Sequence, residues 1–300
     1  MTKEQWDKLV LEHSGEFLQG WDWGEFQESL GKKVMRFFDA DLGLAQIIIT
    51  PLPLGLSWAY VPRGPVFFDS GKAQDLVSRV TQTLPPSCVF LVLEPAAEIN
   101  LSLKRYGARQ PIETVVLDLS QNDEQLLDGM HSKTRYSIRR SLASGLEFGE
   151  VENVAEFYEL LASTARRQGF RTYPEVYFRR MILTIGKDNV KILGARYKGK
   201  LLSVGLYAVF NSTAFYLHSG SDHEARSLMA PYFMHWEAIK YFKARGLKNY
   251  DFWGIDRQRW PGVTRFKTRF GGAIKTYPGA YIKALKPFWF GVYRAFKGVR

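Results

Sequence analysis

Two successive cycles of helical and strand-like periodicity, each about 130 residues long, run along this chain, and the alternation restricts the fold to a layered α/β class. The first cycle opens with a helix capped by Thr2, with Trp6, Leu9 and Val10 on one face, and a second helix over 21–30 closed by Gly31. Residues 46–50 and 58–61 read as strands on either side of a break before the PRGP turn at 62–65. A helix over 72–84 stops at Pro85 and Pro86, buried strands are expected at 88–93 and 114–119, and 123–142 reads as one long helix ended by Gly145. The second cycle starts at Asn153, with Glu156 three residues on as in a capping box, and Phe157, Leu161, Thr164 and Ala165 form a helix face up to Gly169. Stretches 190–197, 201–210 and 213–219 form a meander. Pro231 then opens a helix with Tyr232, Trp236, Ile239 and Phe242 on its apolar face, Gly246 ends it, and 249–253 is a further strand. The pattern predicts two α/β domains meeting at 145–151.

Composition enters as a set of exclusions. With 46% apolar, 15% aromatic and 24% charged residues the 300-residue chain is globular, and no fixed period marks a repeat array. Its longest apolar runs, such as CVFLVL at 88–93, fall far short of the roughly 20 residues of a membrane span. The opening MTKEQWDKLVLEH interleaves acids and bases, so no secretory signal is expected, and the lone Cys88 fits a reducing cytoplasm. Charge is segregated: residues 1–150 carry 15 basic and 20 acidic side chains, residues 151–300 carry 26 and 10, and 257–300 hold eleven bases with no Asp or Glu. A surface that meets a polyanion explains this distribution; a solvated basic face is the plainer alternative.

Most familiar chemistries lack their residues. The five histidines, His13, His131, His218, His223 and His235, stand in no HExxH or Cys/His zinc spacing, so no metal is expected. There is no GxSxG elbow, GxxxxGK[ST] loop or GxGxxG fingerprint. Cys88 sits in an apolar strand, where a thiol is ordinarily a small core residue.

Seven segments in order carry a resemblance: FLQGWDWGEFQESLGKK at 17–33, VPRGPVFFD at 61–69, SKTRYSIRRSLASGL at 132–146, RRQGFRTYPEVYFRRM at 166–181, YLHSGSDHEARSLMAPYFMHWEAI at 216–239, YDFWGID at 250–256 and FKTRFGG at 266–272. Together they resemble the Fem (FemABX) family of non-ribosomal peptidyltransferases, which add amino acids from aminoacyl-tRNA to the stem peptide of peptidoglycan precursors. The resemblance implies two GNAT-like domains with mixed, largely antiparallel sheets flanked by helices, 1–145 and 146–277, with 278–300 packing back onto the first, a cleft between them and no coiled-coil insertion. It implies an aminoacyltransferase of interpeptide-bridge formation and cell wall biogenesis, without cofactor or metal. A GNAT-like N-acyltransferase using another activated donor is the alternative, and a basic nucleic-acid or membrane-binding module a third. Coenzyme A-dependent GNAT enzymes cradle pyrophosphate on a [QR]xxGx[GA] loop. Here the matching stretch, Arg226 to Pro231, has Met229 for the glycine and a proline without an N–H, so that cradle is expected to be lost.

The resemblance also assigns residues. Lys267 and Phe266 match the family's FK pair, Lys267 to pair with tRNA phosphate or with the developing oxyanion and Phe266 to stack on the terminal adenine. Tyr177 matches the tyrosine of the precursor site, and Arg171 is the nearest arginine, although Tyr173 stands one helical turn before Tyr177. Tyr216 and His218, two residues apart, are expected on one strand face towards substrate. Glu94, before Pro95, could orient the attacking ammonium or form a strand-end salt bridge. Gln27 stands where some relatives have a lysine. Lys133, Arg135 and Arg139, with Arg265 and Arg269, are candidate tRNA contacts, and Arg135 and Arg139 share a helix face. At 284–300, ALKPFWFGVYRAFKGVR interleaves Phe288, Trp289, Phe290, Tyr293 and Phe296 with Lys286, Arg294, Lys297 and Arg300. These rings fit either the inner face of a membrane or the core, and the protein is expected in the cytoplasm.

Overall fold

The computed structural model describes residues 1–297 and divides into two compact units, Met1–Ile112 joined by the chain from Tyr277 on, and Glu113–Thr276. The first unit begins with α1 (Lys3–Glu12), whose N-terminus is a complete capping box between Thr2 and Gln5, and α2 (Trp21–Ser29). Strands β1 (Lys33–Asp39), β2 (Gly43–Pro51), β3 (Ser57–Val61) and β4 (Val66–Phe67) precede α3 (Ala73–Thr83), β5 (Cys88–Leu93) and β6 (Lys104–Tyr106). The second unit contains β7 (Glu113–Asp118), α4 (Asp123–Asp128), α5 (Ser132–Leu142), β8 (Glu147–Glu150), α6 (Val154–Gln168) and α7 (Glu175–Ile185). It continues through β9 (Val190–Tyr197), β10 (Lys200–Phe210), β11 (Thr213–Ser221), α8 (Ala230–Ala244), β12 (Asn249–Asp251), α9 (Pro261–Thr268) and β13 (Ala273–Thr276). The chain then returns to the first unit with β14 (Ala280–Ala284) and α10 (Pro287–Lys297).

Each unit holds one mixed, largely antiparallel sheet. The first runs β1-β2-β3-β5-β14-β6 with β4 paired to β2; only β3–β5 is parallel. The period of two in a strand buries both faces of β5: Leu91 and Leu93 pack with Leu76, Val77 and Val80 of α3, whereas Phe90 and Val92 pack with Trp58, Tyr60 and the α10 rings Trp289, Phe290 and Tyr293. The second sheet runs β13-β7-β12-β11-β10-β9-β8 with β11–β12 parallel. On one face α5 and α8 contribute Ile138, Met234, Trp236, Ile239 and Phe242 to a core with Tyr207, Tyr216, Tyr250 and Phe252. On the other, α6 comes so close to β11 that a Cβ on Gly220 would lie 2.6 Å from the Leu160 carbonyl carbon.

Four expectations change. The division falls at 112/113 rather than at 145, because β7 is hydrogen-bonded between β12 and β13 and α5 packs with α8. The long helix over 123–142 is two helices, parted at Gly129, Met130 and His131, where the His131 imidazole accepts the Lys133 N–H and caps α5. At Asn153 the side chain caps through Ala155 N–H without a reciprocal bond from Glu156, which pairs with Arg196 at 2.5 Å. Strand β1, whose pairing with β2 runs the full length of β1, has no counterpart in the sequence reading.

Candidate active site

Lys267 sits on the buried side of α9, 9% exposed. The helix starts at Pro261, and Thr264 Oγ1 ties its first turn to Asp256, donating to the carbonyl at 2.8 Å and accepting the Asp256 N–H at 2.9 Å. After β12 the chain takes two consecutive left-handed residues, Trp253 (φ 47°) and Gly254 (φ 55°), with the Trp253 N–H held on Asp251 Oδ1 at 2.7 Å. That kink turns two carbonyls onto one point: Lys267 Nζ donates to Trp253 O and, at 2.8 Å, to Gly254 O, and lies 5.6 Å from the Tyr216 ring centroid. Burial pulls the Lys267 ammonium down from its ordinary range to about 7, against the opposing pull of the Asp251 carboxylate. A lysine in this state exists as ammonium and amine in comparable amounts near neutrality, which suits proton transfer in both directions.

Around Nζ the walls are aromatic. Phe266 packs edge-on against Tyr232 at 5.1 Å and Phe270 at 5.2 Å, and lies 5.4 Å from His235; it is half-buried rather than offered as an open stacking surface. His235, missed by the sequence reading of the apolar α8 face, is fully buried with its Nδ1 2.7 Å from Tyr250 Oη. Burial first and the Lys267 charge second hold its pKa near 3. Its signal in the sequence was a lone imidazole among Tyr232, Trp236, Ile239 and Phe242.

Tyr216 and His218 do not share a face. The β10–β11 register shifts between Leu206 and Tyr207, which pair with His218 and Tyr216 respectively, so Leu217 is an extra residue and the pleat reverses across it. Tyr216 turns to α8, 4.5 Å from His235 and close to Lys267, while His218 turns to α7, 5.0 Å from Phe178. There it joins Tyr177, at 6.3 Å, and Tyr173, which stacks on Tyr177 at 4.0 Å. Burial lowers the His218 pKa to about 4 and pushes the Tyr177 phenol up. Arg171 lies outside this cluster of rings, exposed in the segment between the left-handed Gly169 cap and α7.

In the first unit Glu94 is buried and both its oxygens are engaged, by the Tyr60 hydroxyl and by the N–H groups of Arg109 and Gln110. It fastens the 109–110 backbone instead of forming a strand-end salt bridge. Gln27 is also buried and accepts the Lys32 ammonium at 2.7 Å, so a cation stands beside it. Of the α5 bases, Lys133 and Arg139 are exposed, whereas Arg135 is half-buried with Nη1 on the carbonyls of Asp128 and Met130. Arg265 is exposed, and the carbonyl of half-buried Arg269 accepts the His131 N–H at 2.9 Å. Phe288 and Phe296 of α10 stand 74% and 89% exposed with Arg294 exposed beside them; Arg300 lies outside the described residues. Among the described residues no group of His, Cys, Asp and Glu could hold a metal, and no helix is long and apolar enough to cross a membrane.

Comparison with known proteins agrees with the fold. The FemAB family model matches residues 96–197 and 187–298. The chain is 25% identical over 290 residues to UDP-N-acetylmuramoylpentapeptide-lysine N(6)-alanyltransferase of Weissella viridescens, covering 84% of this chain and 86% of that protein. It is 20% identical over 351 residues to lipid II:glycine glycyltransferase of Staphylococcus haemolyticus strain JCSC1435, covering 85% and 84%. The crystal structure of FemX superposes with a TM-score of 0.86 at 19% identity, over 97% of this chain and 98% of that one.

Proposed function

Since the chain belongs to the FemAB family, we propose that it is an aminoacyltransferase that moves an amino acid from aminoacyl-tRNA to an amine of a peptidoglycan precursor peptide, in interpeptide-bridge formation. The two curated relatives are named for transfer of alanine and of glycine onto such precursors, which supports the acceptor class. The observation that carries the reading is Lys267, buried, clasped by two carbonyls and poised near neutrality inside the matched region.

Aminolysis of the tRNA ester needs a neutral attacking amine, a stabilised oxyanion and a proton for the departing ribose oxygen. The new C–N bond forms as the ester C–O bond breaks, and one proton travels from nitrogen to the leaving oxygen. Lys267 as amine takes that proton; as ammonium it steadies the oxyanion and returns the proton to oxygen. Tyr177, Tyr173 and His218 form a polar-tipped aromatic surface for the precursor, with Arg171 near the start of α7 as an anion contact. Lys133, Arg139, Arg265 and Arg269 supply positive charge for the tRNA, and Phe288 and Phe296 on α10, beside Arg294, suit peripheral contact with the inner membrane face where a lipid-linked acceptor resides.

The alternative acyl donor finds no support at the α8 start, where Met229 is left-handed (φ 55°) and Pro231 lacks an N–H. The test is to incubate the purified protein with total charged tRNA and a lysine-containing precursor and to weigh the product by mass spectrometry. One added aminoacyl mass is expected, with Lys267→Met lowering transfer about 100-fold or more. Product formed only with an acyl-coenzyme A, or undiminished in Lys267→Met, would overturn the assignment.

A further inference from the structure

Among the eight tryptophans, all within the described residues, Trp260 alone is exposed, at 48%. A ring of this size is ordinarily turned inward, so one left in water asks for a partner. Among the described residues no other ring or cation stacks on it and no acceptor takes its indole N–H. It stands in an uncovered run, 257–263, in which every residue is exposed. The run is nevertheless fixed. Asp256 Oδ1 accepts the N–H groups of Gln258 and Arg259 at 2.9 and 2.8 Å, the Asp256 carbonyl accepts the Trp260 N–H at 2.9 Å, and the Trp260 carbonyl accepts the Thr264 N–H at 2.9 Å. Backbone order without burial characterises a preorganised contact surface, because the entropy of holding the ring is lost on folding and not again on binding. Beside the ring a Cβ on Gly262 would meet nothing within 4 Å, so the first turn of α9 is bare there.

Charge selects the partner. Arg257, Arg259 and Arg265 flank Trp260 in the stretch without Asp or Glu, and all three are exposed. The one carboxylate within ion-pair range of them among the described residues is Asp256, 3.9 Å from Arg259 Nε. A flat π-surface among guanidinium groups suits a nucleobase with phosphates on either side, and such a stack tolerates any base. A bilayer fits less well, since the aliphatic surface of the run is confined to Pro261 and Val263, the latter 37% exposed. Trp260 is also the N-cap residue of the helix that carries Lys267, and at about 1.5 Å per residue the two stand roughly 10 Å apart along its axis. Phe266, the ring that the sequence offers for stacking, is half-buried against Tyr232 and Phe270, which leaves Trp260 as the open ring at this helix.

We infer that Trp260 stacks on a base of the unpaired 3′ end of the donor RNA, with Arg257, Arg259 and Arg265 on its phosphates, and so leads the aminoacylated ribose along α9 towards Lys267. This contact presupposes the aminoacyl-tRNA donor and adds a binding residue for it.

The experiment titrates full-length protein into fluorescein-labelled, uncharged RNA hairpins that mimic a tRNA acceptor stem, one with its unpaired 3′ end and one blunt, and reads binding by anisotropy. Trp260→Ala is expected to weaken binding of the first hairpin about tenfold and to leave the second unchanged. Trp260→Phe, which keeps a π-face, should retain most of the affinity, and Trp260→Leu, apolar without one, should behave as the alanine variant does. Arg257→Gln should flatten the salt dependence for the first hairpin by a slope of about 0.7. Trp260 is hydrogen-bonded to the fold through its backbone, so all the variants are expected to melt with the native protein. Undiminished binding in Trp260→Ala, the same loss on both hairpins, or a loss of vesicle sedimentation in place of RNA affinity would overturn the inference, while transfer from charged tRNA, measured separately, still decides the donor. A native protein that binds neither hairpin removes both.

Discussion

Keeping an amine at Lys267 poised near neutrality costs stability, and the sign of that cost is testable. Its pKa is about 7 in the folded chain against an ordinary 10.5, so between those values the unfolded state binds more protons and stability rises with pH. The destabilisation is fully present below about 7 and gone above about 10.5, amounting to a few kcal/mol at most, on the order of 1.4 kcal/mol for each tenfold loss of proton affinity. Lys267→Met should therefore melt at the same temperature as the native protein or higher at pH 7, and lose that advantage as the pH approaches 10; a constant difference across a pH series of thermal melts would refute it. The sequence made Lys267 visible because the FK pair is local. Its two carbonyl partners were not, since they depend on a left-handed kink at Trp253, 14 residues away along the chain. His235 was hidden for a related reason: helical periodicity reports which face is buried, and says nothing about an imidazole among the buried residues being hydrogen-bonded to a tyrosine on strand β12.

Elements hold that lysine in place through close backbone approach. Behind α9 the chain turns at Gly271 and Gly272, both with φ +82°, and a Cβ on Gly271 would lie 2.6 Å from the Gly129 carbonyl oxygen in the α4–α5 turn. The same junction is tied by the His131 N–H on Arg269 O. Gly271→Ala combines a strained φ with this clash and should cost about 2 kcal/mol or more, read as a lower denaturation midpoint at unchanged slope. A change within about 0.5 kcal/mol would show that the junction yields. Most of the meander and α8 were legible from alternation and from Pro231, because those signals are local. The α4–α5 break was missed because apolar positions on either side of Gly129 still fit one helical period, and only tertiary packing shows that the second helix departs. The bulge at Leu217 was equally unreadable: one extra residue reverses every later side chain, yet the composition of the strand is unchanged.

At the scale of the whole molecule, the acid-free stretch after Arg257 serves two units, since α9 belongs to one and α10 to the other. The sequence placed the division near Gly145, where one cycle of helix and strand gives way to the next, whereas strand pairing places it before Glu113. Helix α10 turns Trp289, Phe290 and Tyr293 to the sheet and leaves Phe288 and Phe296 uncovered, so core and exterior divide the rings between them. Replacing both uncovered rings with serine should reduce sedimentation with anionic vesicles several-fold, and binding should weaken as salt is raised. Equal sedimentation of the two proteins would remove α10 from any lipid contact. Strand β14 occupies the place between β5 and β6, although its first residue, Ala280, follows Tyr106 only after the whole of the second unit. During synthesis β5 thus keeps one edge open until Ala280–Ala284 has emerged from the ribosome, and a product that stops short of β14 leaves that raw edge for proteases or chaperones to find.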